Sequence, residues 1–195
     1  MAERYGMVID LDACIGCHAC SIACKVENNT DVGIDWHRVE TKGDPKNRIG
    51  EDLPLGVYPD LSLYWVPMPC QHCENAPCMA VCPAATISKR DDGIVLVDKS
   101  KCIGCMYCSW VCPYKMPQYS LEDGTMEKCT FCAHRVDKEL APACVNVCVY
   151  GARVFGDLND PHSDVSRLIA RKNGGVLLPE MGASPSVYYV GLRRR

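Results

Sequence analysis

The sixteen cysteines of this 195-residue chain fall into four groups of four, and every group closes on the same Cys-x3-Cys step. The groups are Cys14, Cys17, Cys20 and Cys24; Cys70, Cys73, Cys78 and Cys82; Cys102, Cys105, Cys108 and Cys112; and Cys129, Cys132, Cys144 and Cys148. None is left over. Cysteine takes about 8% of positions, a level met in disulfide-stapled secreted domains. Disulfide frameworks rarely repeat one spacing, whereas the Cys-x2-Cys pair that opens each group is a ligand pattern. Zinc takes four thiolates, usually from two well-separated pairs. Here groups one and three pack four thiols into eleven positions. Iron–sulfur cubanes take four thiolates each, so sixteen cysteines supply four 4Fe–4S clusters with no other protein ligand.

The run Cys102 to Pro113 matches C-x2-C-x2-C-x3-C-P, the bacterial two-cluster ferredoxin pattern. In that pattern the first three cysteines of a run hold one cubane and the fourth reaches the other. Applied throughout, the rule makes four sets. Set one is Cys14, Cys17, Cys20 and Cys148, and set two is Cys24, Cys129, Cys132 and Cys144. Set three is Cys70, Cys73, Cys78 and Cys112, and set four is Cys82, Cys102, Cys105 and Cys108. Each cluster would then staple segments distant in sequence. Pro83 and Pro113 follow the last cysteines of groups two and three, as in ferredoxins; Lys25 and Val149 stand there in groups one and four.

The repeat predicts an α+β fold of two bacterial-ferredoxin-like modules, each with two clusters, short strands and short helices. Helical segments are expected at Ser21–Val26, Met79–Val81, Ser109–Val111 and Val145–Val147. A hairpin is expected from Thr86–Lys89 to Ile94–Val97 around Asp91-Asp92-Gly93. Met7–Leu11 and Arg153–Phe155 are expected to pair and close the chain on itself. Residues 64–113 would form an inserted half, and residues 1–63 with 114–195 an outer half. Asn29–Leu63 reads as an insertion or surface arm and Asp157–Arg195 as a C-terminal extension. Within it, Ser163–Lys172 reads as a helix with Asp164 and Arg171-Lys172 placed to suit its dipole. The Arg193-Arg194-Arg195 tail reads as a solvated end.

The formal charge of −3 counts thiols as neutral; four oxidised cubanes on four thiolates each would bring it to roughly −11. Nucleic acid is therefore not an expected partner. Lys25, Lys101, Lys115, Lys128 and Arg135 lie close to ligand cysteines and are candidates to raise cluster potentials. Gly16 and Gly104, between the first two ligands of their groups, allow the backbone to approach a cluster. His18 and His72 sit inside complete thiolate groups and are not expected as ligands. His37, His134 and His162 have no partner visible in sequence. Trp65, Trp110, Tyr64, Tyr107 and Tyr114 read as cluster-shielding or core residues. No catalytic triad, carboxylate pair or phosphate loop is present, so no catalytic residue is assigned. The start of the chain lacks a secretory pattern, and no apolar run is long enough to span a bilayer.

The four groups, above all Cys14-Ile-Gly-Cys-His-Ala-Cys-Ser-Ile-Ala-Cys-Lys and Cys129-Thr-Phe-Cys with its distant Cys144 and Cys148, resemble a known family. It comprises the four-cluster iron–sulfur (beta) subunits of membrane-bound molybdopterin oxidoreductases, and the likeness covers roughly Tyr5 to Gly156. Size is most similar to the polysulfide, thiosulfate, dimethylsulfoxide and tetrathionate reductase type, the polysulfide reductase type first. The resemblance implies a relay without substrate chemistry of its own. Its partners would be a molybdopterin-guanine-dinucleotide catalytic subunit and an integral-membrane, quinone-reactive subunit. It further implies peripheral attachment through those partners on the outward face, reached by co-export with the catalytic subunit. A soluble polyferredoxin or a cytoplasmic hydrogenase-complex carrier is the alternative of another class, and a zinc module the third.

Overall fold

The computed structural model describes residues 3–43 and 63–191. Its elements begin with strand β1 (Tyr5–Asp10), after which a loop carries group one into helix α1 (Ala19–Asn28). Strands β2 (His37–Gly43) and β3 (Leu63–Pro69) follow and pair antiparallel. Group two leads into one helical turn, α2 (Pro77–Ala80), then β4 (Ile87–Lys89) and β5 (Val95–Val97). Group three bears α3 (Tyr107–Val111) and precedes the short strands β6 (Gln118–Tyr119) and β7 (Met126–Glu127). Group four bears α4 (Ala133–Val136) and α5 (Ala143–Asn146). Strand β8 (Arg153–Asp157), helix α6 (Asp164–Lys172) and strand β9 (Val187–Val190) complete the set.

β1 lies between β8, antiparallel, and β9, parallel, with Met7 opposite both Phe155 and Val187. A strand covered on both faces reads as a continuous apolar run, and Met7, Val8 and Ile9 are all fully buried. Alternation divides them. Met7 and Ile9 face the main core, which they share with seven buried cysteines. Val8 faces the other way and packs with Val165 and Val190 beneath α6. The expected pairing of the two distant strands is present. β9 is the departure: the segment read as an extension supplies a core strand through Val187, Tyr189 and Val190.

The hairpin β4–β5 forms as expected, with Ile87 opposite Val97 and Gly93 at φ +84° in its turn. α6 begins on Ser163, whose hydroxyl accepts the Ser166 amide at 3.2 Å, and Arg171 and Lys172 fall in its last turn. α1 and α3 contain their expected segments. α2 and α5 lie slightly earlier: Pro77 presets the first helical φ of α2, and Pro142 stands as the N-cap of α5.

The surface-arm reading fails for its first half. Ile34, Trp36 and His37 are buried, β2 pairs with β3, and Trp36 donates its indole N–H to Glu127 at 3.0 Å. The rest of that arm, 44–62, and the tail at 192–195 lie outside the described residues. Among the described residues no helix is long and apolar enough to cross a membrane.

Candidate metal centres

In each cysteine group the residue just before the second cysteine is left-handed: Gly16 (φ 68°), His72 (φ 41°), Gly104 (φ 66°) and Phe131 (φ 52°). This bend turns successive backbone N–H groups inward, the arrangement that receives anions. In one such bend the Phe131 N–H reaches Cys129 sulfur at 3.4 Å, and from β7 the Met126 N–H reaches Cys102 at 3.3 Å. Glycine takes the bend freely, whereas His72 and Phe131 each accept about 1–2 kcal/mol of strain. Those two rings stack on each other in the core, 3.7 Å between centroids. The stack is worth about 0.5–1.5 kcal/mol beyond its burial, which offsets part of that strain. Sequence reasoning found the glycines and missed this pair, since neither residue type signals a left-handed bend.

Three clefts open among the thiols. One is lined by Cys14, Cys17, Cys20 and Cys148, a second by Cys70, Cys73, Cys78 and Cys112, and a third by Cys82, Cys102, Cys105 and Cys108. The remaining four also converge. The Asn28 amide reaches both Cys24, at 3.7 Å, and Cys132, at 3.8 Å, while Cys144 and Cys132 are the thiols that most perturb Cys24. Cys129 is in turn perturbed by Cys24 and Cys144.

Neighbouring sets adjoin in a definite order. Cys20 perturbs Cys144, Cys70 perturbs Cys129, and Cys108 perturbs Cys78, so the thiols run from set one through two and three to four. Burial follows that order. Set two is buried throughout, set three is buried except for half-exposed Cys112, and the end sets are the more open, Cys17 being exposed.

Burial first, then neighbouring thiols, pushes Cys24, Cys73 and Cys78 up to about 12 and Cys108 up to about 11. Such a set resists becoming four thiolates unless a positive core sits among them. Cys82 goes the other way. Burial raises it, but the Thr86 hydroxyl at 3.2 Å and amide at 3.4 Å outweigh that and lower its pKa.

Two buried cations lie among the sulfurs. Lys128 is 2% exposed; its Nζ donates to the carbonyls of Val95 and Cys129, and its charge lowers the pKa of Cys78. Arg153 is 4% exposed and donates to Cys144 Sγ at 3.6 Å, to Met7 Sδ at 3.3 Å and to His37 Nε2. A guanidinium has only donors, so His37 accepts at Nε2 and its Nδ1–H meets Ser21 Oγ at 3.1 Å. Burial and then the charge of Arg153 hold His37 well below the usual imidazole pKa, hence neutral. Arg153 escaped the sequence reading because it lies in a strand, outside every cysteine group.

Of the cations named from sequence, Lys128 alone is buried. Lys25 donates to the Asp31 and Ile34 carbonyls, Lys101 pairs with Asp98 at 2.8 Å and Arg135 with Glu27 at 3.1 Å; Lys115 is exposed. His134 meets Glu27 at 2.8 Å, while His18 and His162 are exposed. Tyr114 is core and donates to the Leu177 carbonyl at 3.0 Å, and Trp65 covers the group-one loop at Gly16. The shielding role fails for Trp110, 79% exposed, and for Tyr107: α3 turns Cys108 inward and these rings outward.

A family model described as a 4Fe-4S dicluster domain matches residues 61–158, and one described as a 4Fe-4S binding domain matches residues 5–26. The B subunit of tetrathionate reductase from Salmonella typhimurium is 41% identical over 97% of this chain and 73% of its own length. Its counterpart in the polysulfide reductase of Wolinella succinogenes is 36% identical over 100% of this chain and 97% of its own. The thiosulfate reductase electron transfer subunit of Salmonella typhi is 39% identical over 88% and 84%. This protein belongs to the iron–sulfur B subunits of molybdopterin oxidoreductases.

As such it is an electron-transfer chain, and two matched domains with sixteen cysteines provide for four 4Fe–4S clusters. Its clefts fit the group. The thiols of sets one, three and four surround hollows. His72 Nε2 and Gln71 Oε1 are buried without a protein partner, and both residues border the set-three cleft.

Proposed function

We propose that this iron–sulfur subunit relays electrons between a quinone-reactive membrane subunit and a molybdopterin-guanine-dinucleotide catalytic subunit of a sulfur-compound reductase. Sets one to four, as grouped above, would each ligate one cluster. Residues 64–113 would hold sets three and four as an inserted module, and the flanking segments sets one and two. The observation that carries the reading is the row of thiol sets, buried in the middle and open at both ends.

When bound, each cluster supplies a one-electron couple and no bond-making chemistry. The chain's residues do the rest. Thiolates and inward amides hold each site, and the shared core keeps water from the middle sets. At the ends, exposed apolar side chains offer docking ground: Ile15, Val149 and Tyr150 beside set one, and Ile103 beside set four. Catalysis would belong to the partner, and the complex would face outward, the chain travelling with its catalytic subunit.

Anaerobic purification through a tag on this chain tests the proposal. Expected are about sixteen iron atoms per chain, a molybdopterin subunit and a membrane subunit in one complex. Full iron content in a chain recovered alone from solubilised membranes would favour the free-carrier alternative and overturn the relay between two fixed partners. Far less iron would overturn the cluster assignment itself.

A further inference from the structure

We propose that Arg153 is a counter-charge shared by the two clusters of sets one and two, which raises the reduction potential of both. The proposal rests on the cluster assignment above and extends it to a residue outside every cysteine group.

The guanidinium sits where the two sets adjoin. It donates to Cys144 of set two, and its other electrostatic neighbours include Cys20 and Cys148 of set one, whose cleft it also lines. Among the described residues its polar side-chain contacts are sulfur and imidazole, with no carboxylate among them. A fully buried cation must find its compensation nearby. The anions that β8 places beside it are the thiolates of two different clusters.

Its position is held on both sides. The backbone is clamped in the central sheet, with Ile9 opposite Arg153. The far end of the fork is held by neutral His37, itself held by Ser21 on α1. Adding an electron to either cluster adds negative charge next to a fixed positive one, in surroundings that screen poorly. One cation therefore favours the reduced state at two sites. It would also offset repulsion between them, since thiols of both sets lie beside the same guanidinium. Arg153 thus acts through charge and position and touches no substrate.

Arg153→Gln keeps the shape and a hydrogen-bonding end but removes the charge; Arg153→Lys keeps the charge without the fork. Redox titration of the complex, followed by electron paramagnetic resonance, reads each midpoint. In Arg153→Gln two of the four midpoints should fall, each by at least tenfold in electron affinity, about 59 mV for one electron. Arg153→Lys should recover most of that shift. Iron lost from Arg153→Gln but kept by Arg153→Lys would also support the proposal, because charge would then be what assembly needs. Iron lost equally from both would make the role one of shape and overturn it. So would four unmoved midpoints at full iron, or a shift confined to one cluster. Wild-type iron far below about sixteen would instead remove the cluster reading, and this inference with it.

Discussion

His72 and Phe131 occupy backbone positions that Gly16 and Gly104 fill in the other two groups, and the four bends are alike. The repeat is thus conformational before it is chemical: each ligand loop needs the left-handed turn, whichever residue supplies it. Where the loop is crowded, only glycine serves. A Cβ on Gly104 would stand 2.5 Å from the Gly124 carbonyl oxygen, whereas one on Gly151, also left-handed, meets nothing within 4 Å. Gly104→Ala should therefore lose the set-four cluster, about four iron atoms per chain. Gly151→Ala should keep full iron and cost only about 1–2 kcal/mol. Iron analysis of the pair decides; equal iron in both would refute the crowding argument.

Single-turn helices such as α2 and α5 are far below the length at which a helix persists alone, so cysteine ligation and core packing must hold them. α6 is different. It is capped at both ends and packs on the sheet face away from the cysteines. Ser163→Ala should lower thermal stability by about 1 kcal/mol and leave iron content unchanged; iron loss would show the two sheet faces to be coupled. α1 and α4 are joined by Glu27, which meets His134 at 2.8 Å and Arg135 at 3.1 Å. The His134 hydrogen bond, against some burial and aided by Arg135, depresses the Glu27 pKa below 4.5. A depressed carboxylate stabilises the fold above its unfolded value and ceases to as pH falls through its folded one. Wild type should thus hold iron longer than Glu27→Gln near neutrality, and the difference should vanish on acidification through that range. A difference unaffected by pH would rule out the ion pair as its cause.

Across the whole molecule the main core is partly built of cysteines, since Cys24, Cys70, Cys73, Cys78, Cys108, Cys129 and Cys144 belong to it. Set two draws together segments as far apart as Asn28 and Cys132, 104 positions in sequence. Closing such loops costs entropy that metal–thiolate bonds offset, and buried thiols without iron resist ionising. Complete iron removal by an anaerobic chelator should therefore abolish the folded far-ultraviolet circular dichroism spectrum. A native-like spectrum in iron-free protein would show that the apolar core suffices.

Local spacing made the four thiol groups, the ferredoxin-like repeat and the β4–β5 hairpin legible, because local chemistry decides them: four thiols within eleven positions, or a turn between two apolar runs. The pairing of β1 with β8 was legible too, from where each strand stands beside its cysteine group. Tertiary structure alone decided the rest. β9 joins β1 across nearly the whole chain, and His37 and Trp36 leave a presumed arm for the interior. Arg153 meets the sulfurs only because β8 lies against β1 between two ligand sets. Such contacts depend on burial and charge among residues far apart in sequence, and no local spacing records them.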